Sequence, residues 1–174
     1  MFKELILSRR SMRKFTCEDI EESFMDDLRI CCYFSPSSRG IRGYKIIFVK
    51  NSTMLGDLSK AKKGAELLQG AKLAVVIIGV PEKTDVWIED CSIVASNILN
   101  LCEEKKIGAC WVQIRNRFHT DDISADEYTK KLLKIPENYS VECIIGIGKR
   151  AFIPKPYNIT DIDKTMFSDE LFVE

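Results

Sequence analysis

The chain has 174 residues and a mass of 19.9 kDa, the size of one domain with enough sequence to bury its own core. Lys plus Arg is 26 and Asp plus Glu is 26, so the formal net charge is zero, which argues against a sequence-independent nucleic-acid binder. Hydrophobic residues are 45%, charged residues 30%, and no apolar run is long enough to span a bilayer or to read as a signal peptide.

Phe2 to Leu7 reads as a short helix leading into a basic stretch. Asp19 to Tyr33 reads as a second helix, with Ile20, Phe24, Leu28 and Cys31 or Cys32 at helical spacing and acids crowding its first turn. Ser35 to Gly43 is a loop built from Ser, Pro and Gly. Tyr44 to Lys50 is rich in β-formers and reads as a strand. Met54 to Lys60 reads as a short helix, and Lys62 to Gly70 is left open. The run LAVVIIGV, Leu73 to Val80, fits a strand buried on both faces. Asp85 to Lys105 reads as a long helix whose apolar stripe is wide enough for a central position. Gly108 stands where its C-terminal stop belongs.

Ala109 to Ile114 reads as a short strand, Asp121 to Leu133 as a surface helix closed off by Pro136, and Val141 to Gly148 as the last core strand. The order of elements indicates an α+β or mixed α/β domain around one sheet. The tail from Lys149 is extended and polar but carries Phe152, Phe167, Leu171, Phe172 and Val173. Such a tail needs a surface, on its own domain or on a second subunit.

Seven cysteines, without a CxxC pair or a secretory signal, fit reduced thiols in the cytoplasm. Cysteines among apolar neighbours read as small buried hydrophobes. His119 is the single histidine, so no His-rich metal site is expected. Gly146-x-Gly148 is not followed by a helix, which removes the dinucleotide fingerprint, and no Walker A sequence occurs. The pairs Glu21-Glu22 and Asp121-Asp122 stand at predicted helix starts, where the helix dipole accounts for them.

Four segments carry candidate chemistry. Arg9-Arg10-Ser11-Met12-Arg13-Lys14 packs four cations and a hydroxyl into six residues, donors suited to phosphate oxygens. Spacing alone leaves a solvated basic turn as the alternative. Ser35-Pro36-Ser37-Ser38-Arg39-Gly40 is a small polar loop that could approach a ligand or merely connect two elements. Trp111 to Arg117 ends a strand with two arginines, offering amides and charge to a flat polar ligand, or simply leaving the core through a charged turn. Pro154-Lys155-Pro156 is extended with one cation and reads equally as a rigid linker.

In this order the four segments resemble the nitroreductase family of flavin-mononucleotide proteins, over essentially the whole chain. RRSMRKF looks like the family's R-R-S-x-R-x-F. SPSSRGIRGYKIIFV looks like its P-S-S-x-N-x-Q-P-W-x-F segment, and EDCSIVASNILNLCEEKKIGACWV like its central helix and following strand. IIGIG and then PKPY are similar to its last strand and trailing basic segment.

The resemblance implies one α+β domain over residues 1–174, with a central mixed β-sheet flanked by helices. It implies an intertwined homodimer that exchanges C-terminal arms, from about residue 150 onward, and holds two FMN molecules at its interface. Phe172 and Val173 would be buried by that exchange. Carried across by position, Arg9 and Ser11 would bind the FMN phosphate, with Arg10 in support and Lys155 adding charge from the tail. Arg13 would sit at the pyrimidine edge of the flavin. Pro36, Ser37 and Ser38 would come from the other subunit. Gln113 would offer its backbone amide to flavin N5, with Ile114 beside it.

No catalytic side chain and no metal are implied. The activity implied is hydride transfer from NADH or NADPH to an electron-poor acceptor such as a nitroaromatic or quinone, in ping-pong order. The alternative is an FMN-binding protein with little turnover. That reading is motivated by Gly40 and Arg42, which replace the family's Asn and Gln. Gly43 and Tyr44 replace its Pro and aromatic, Ala109 replaces a turn serine, and Tyr157 stands where a second tail Arg often lies.

Overall fold

The computed structural model describes residues 1–172. Four strands, β1 (Tyr44–Val49), β2 (Leu73–Gly79), β3 (Ile107–Gln113) and β4 (Ser140–Lys149), form one sheet in the order β1-β2-β4-β3. Every pairing is antiparallel, which corrects the expectation of a mixed sheet. The helices are α1 (Phe2–Ser8), α2 (Glu22–Phe34), α3 (Ser52–Leu58), α4 (Trp87–Glu104) and α5 (Ala125–Leu133).

The sheet is covered on both faces. Side chains of β2 such as Val75 and Ile77 pack with Cys143, Ile145 and Ile147 of β4 against Leu28 of α2 and Val94 and Ile98 of α4. The alternate residues Ala74, Val76 and Ile144 pack against Leu55 and Leu58 of α3, Leu68 and Ala125. This is why β2 reads as an unbroken apolar run: all of its residues are buried. Helix α4 is central because apolar positions surround most of its circumference.

Several element ends differ from the sequence reading. Helix α2 begins at Glu22, with Glu21 as its N-cap. Helix α5 begins after Ser124, whose hydroxyl accepts from Glu127 N–H while the Glu127 carboxylate accepts from Ser124 N–H. Asp121 and Asp122 therefore stand before the helix rather than in its first turn. Residues 62–70, left open from sequence, end in a 3₁₀ turn over Glu66–Gly70.

Gly108 is not the stop of α4. Lys106 turns the chain with φ +59°, and Gly108 is already inside β3. A glycine is required there for another reason. Gly108 and Gly148 are register partners across β3 and β4. A Cβ on Gly108 would lie 2.7 Å from Met12 Cγ, and one on Gly148 would lie 2.7 Å from Phe15 Cγ. The two bare positions form a saddle on which the segment from Met12 to Phe15 lies.

The tail beyond β4 has no strand or α-helix among its described residues. Ala151 N–H donates to Lys14 O and Tyr157 N–H to Leu7 O, which ties its first part to the N-terminal segment. Phe152, Phe167, Leu171 and Phe172 are exposed on the single chain, and Val173 lies outside the described residues. No described helix is long and apolar enough to cross a membrane.

Candidate functional site

The basic segment is fixed by the edge of the sheet. Met12 is buried over Gly108, and its N–H donates to Ala109 O at 2.9 Å. With Met12 turned inward, the neighbouring Ser11 and Arg13 are exposed. Cys110 shows where these side chains converge. Burial pushes its thiol above the ordinary range, while Arg13, a hydrogen bond with Ser11 and then Arg9 pull it back. Three of the four nominated residues of this segment thus act on one thiol of β3.

Arg10 faces the tail instead. Its Nη1 donates to Lys155 O at 2.7 Å, and its guanidinium lies 4.4 Å from the centre of the Tyr157 ring. The Pro154-Lys155-Pro156 segment is therefore held against the basic segment, with Lys155 itself exposed.

Strand β3 is an edge strand, so one side of its backbone faces outward. Ile114 N–H donates to Glu142 O, which places the hydrogen-bonded pairs at even-numbered residues of β3. The odd residues point their backbone groups to the open edge. Ala109 uses its outward carbonyl to hold Met12, and the same alternation turns Gln113 N–H to that edge. Ile114 is fully buried in the core on the α3 and α5 side, and its N–H is already used.

The Gln113 side chain belongs to a buried network that the sequence reading missed. Trp111 Nε1 donates to Gln113 Oε1 at 2.8 Å. Gln113 Nε2 donates to Glu142 Oε1 at 3.1 Å and to Glu142 O at 3.2 Å. Arg115 Nε donates to Glu142 Oε2 at 2.7 Å. A lone acid in the apolar strand VECIIGIG was the available signal, since an unpaired charge does not survive burial.

The loop after α2 is equally well anchored, but elsewhere. Ser35 Oγ donates to Cys31 O and accepts from Asn97 Nδ2. Ser38 N–H donates to Asp90 Oδ1 at 2.8 Å, and Ser37 Oγ accepts from Arg42 N–H. Arg39, Gly40 and Arg42 all have positive φ, at +52°, +68° and +53°. Arg42 folds back, with Nε donating to Tyr33 O and its guanidinium 4.4 Å from the Tyr33 ring centre. Pro36 is exposed, and Ser37 and Ser38 are half-buried.

The loop is not brought to the basic segment within one chain. It is pinned to the first turn of α4 and leads into β1, whereas Met12 lies beyond the last turn of α4 on β3. About 20 Å of helix separates Asp90 from Glu104, and β1 and β3 are opposite edges of the sheet.

A groove of about 760 Å³ lined by Phe24, Glu103, Arg150 and Pro154 contains none of the nominated residues. It encloses the buried Arg150–Glu103 pair, 2.6 Å apart, which ties the start of the tail to α4. No metal-binding cluster of His, Cys, Asp or Glu occurs among the described residues.

The sequence profile described as the Nitroreductase family matches residues 49–149. The chain belongs to this family. It is 40% identical to an FMN-dependent nitroreductase of solved structure from Clostridium difficile R20291, covering 97% of this chain and 98% of that one with a TM-score of 0.94. A protein of Archaeoglobus fulgidus is 27% identical over 149 residues, 83% of each chain, and is named, provisionally, an NADH dehydrogenase/NAD(P)H nitroreductase. An NADPH:FMN oxidoreductase from Vibrio harveyi, solved in complex with NAD+, is 20% identical with a TM-score of 0.83, covering 99% of this chain and 78% of that one. At that identity the likeness is one of fold.

The donor set of this nitroreductase-family chain fits FMN. Arg9 and Ser11 offer a cation and a hydroxyl with no carboxylate between them, which suits a phosphate dianion, and Arg13 adds a second cation for the edge of a polar ring. The outward N–H of Gln113 lies three residues along β3 from Cys110, about 10 Å of strand. A ligand with a phosphate at one end and a flat polar ring at the other matches that spacing.

Proposed function

We propose that the protein is an FMN-dependent oxidoreductase that passes hydride from NADH or NADPH to an electron-poor acceptor, such as a nitroaromatic or a quinone, in ping-pong order. The observation that carries this reading is the seating of the basic segment on the open edge of β3, Met12 N–H to Ala109 O over Gly108, with Arg9, Ser11 and Arg13 all acting on Cys110 of that strand. It is supported by the 40% identity to the FMN-dependent nitroreductase of Clostridium difficile.

Bound FMN supplies the reversible two-electron chemistry. Arg9 and Ser11 bind its phosphate, Arg10 backs them and holds the tail in place, and Lys155 adds charge. Arg13 lies at the pyrimidine edge, where positive charge favours reduction. Gln113 N–H donates toward N5, and buried Ile114 keeps the strand end in register. With FMN held there, donor and acceptor would use it in turn, and this chain would supply no nucleophile or general base.

Pro36, Ser37 and Ser38 reach each flavin from the other subunit of a homodimer. The separation of this loop from Arg9 within one chain supports that arrangement. Seven free thiols fit a reducing cytoplasm, and the partners are a second copy and small molecules rather than nucleic acid or membrane.

A second reading, FMN binding with little turnover, is favoured by one observation. Arg42, which replaces a Gln of the family pattern, is folded onto Tyr33 rather than extended from the loop. An anaerobic visible spectrum before and after NADPH or NADH separates the two. Flavin bands that bleach support the oxidoreductase, and bands that persist support the binding protein. Absence of bands after incubation with FMN overturns both.

A further inference from the structure

The register of β4 against β2 slips between Cys143, opposite Ile77, and Val141, opposite Ile78. Glu142 is the extra residue of this bulge. Val141 faces the α3 and α5 side of the sheet and Cys143 the α2 and α4 side. The bulge turns the Glu142 carboxylate to the Cys143 side, where it helps burial push up the thiols of Cys91 and Cys143. There it meets Gln113 and Arg115 at the end of β3. Bulges commonly re-aim a side chain beside a working site.

We infer that Glu142 and Arg115 are a charge-balanced clamp that positions the Gln113 N–H and, by balancing their opposed charges, keeps either one from shifting the reduction potential of the bound flavin. This inference rests on the FMN reading above. The clamp is dense. Glu142 O accepts from Ile114 N–H, Arg115 N–H and Gln113 Nε2, while its two carboxylate oxygens take Gln113 Nε2 and Arg115 Nε. Residues 113, 114 and 115 are thereby tied to one residue of the neighbouring strand. The Gln113 amide cannot rotate inward, because its side chain is held on the α4 side by Trp111 and Glu142.

The electrostatic half follows from burial. Glu142 is 3% exposed and Arg115 34%, so water screens the pair weakly on the carboxylate side. Electrons arriving on bound FMN bring negative charge. At the strand end that would hold FMN, a carboxylate opposes added negative charge and a guanidinium favours it, and the 2.7 Å pair cancels most of both effects. Removing one partner should therefore move the potential in a direction fixed by the partner that remains.

The test is the reduction potential of FMN bound to the full-length protein, measured anaerobically against reference dyes. Glu142→Gln keeps the acceptor for Gln113 and strands the guanidinium, so the potential shifts positive. Arg115→Gln leaves the carboxylate hydrogen-bonded to Gln113 Nε2 and to the new amide but without its countercharge, so the potential shifts negative. The double variant returns toward the parent value. A merely structural clamp would loosen FMN in both single variants without opposite shifts. Potentials unmoved, or moved the same way, overturn the inference while leaving the FMN reading intact. A parent protein that takes up no FMN overturns both. Glu142→Gln is isosteric and leaves a guanidinium that water reaches, so it is expected to fold even if Arg115→Gln, with its buried carboxylate uncompensated, does not accumulate, and its positive shift then decides alone.

Discussion

Arg9 is the residue on which the phosphate assignment turns. A charge-assisted hydrogen bond of the kind it would make contributes about 1.5–3 kcal/mol. Arg9→Ala should therefore weaken FMN binding roughly 10- to 100-fold, read by quenching of FMN fluorescence on titration into apoprotein. An unchanged affinity would remove Arg9 from the phosphate site. The cysteines make a second claim at this scale. Burial raises Cys31 to about 11 and Cys32 and Cys91 to about 12, and it raises Cys102, Cys110 and Cys143 as well. Thiolates are the reactive form, so at pH 8 in the native protein only exposed Cys17 should react promptly with a thiol reagent. All seven should react in denaturant. The same shifts set a pH dependence. The thiols are neutral when folded but ionise near pH 8.5–9 when unfolded. Their contribution is complete below that pH and is lost as pH rises toward 11–12. The urea midpoint should fall between pH 8.5 and 10.5, and a midpoint that stays level would mean that these thiols are not sealed from water.

At the scale of elements, the saddle of Gly108 and Gly148 is what seats the basic run against the edge strand. Gly148→Ala would press a methyl group onto Phe15 and shift the segment that carries Arg9 to Arg13. Overpacking of this kind costs about 1–3 kcal/mol. We expect a lower urea midpoint together with weaker FMN binding. Ser124→Ala, which removes the α5 cap, should cost about 1 kcal/mol with FMN binding untouched. Equal loss of FMN affinity in both variants would mean that the saddle acts only through global stability. The same comparison shows what the sequence could disclose. The helices and strands were readable because their apolar spacing is regular, as in Leu73–Gly79 and Trp87–Glu104. Gly108 was misread because a glycine after a helix has the same local signature as a C-terminal stop. Its true role depends on Met12, nearly a hundred residues away. Glu142 was overlooked because its partners, Gln113 and Arg115, meet it only through a register slip that no local pattern encodes.

For the whole molecule, the unsettled mass is at the surface. Met166, Phe167, Leu171 and Phe172 are 79%, 69%, 77% and 88% exposed on the single chain. Burying an aromatic or aliphatic side chain contributes roughly 1.5–3 kcal/mol, so four of them left in water forgo a large stabilisation. A second apolar face offers a complement. Phe2 and Ile6 of α1 and Ile30, Tyr33 and Phe34 of α2 are also exposed, next to the loop that holds Pro36 to Ser38. A homodimer would cover both surfaces and bring that loop to the basic segment of the other chain. Truncation after Asp163 removes the first set and spares the second. It should therefore weaken the dimer while leaving each subunit folded, because nothing in the sheet or in either core layer lies beyond Lys149. Sedimentation equilibrium with and without FMN measures this directly. A truncated chain that dissociates at a concentration where the full chain stays paired, and loses FMN as it does so, would tie the tail to the cofactor through assembly. A truncated dimer of unchanged stability would assign assembly to α1 and α2 alone and leave the tail's apolar residues without a role in it.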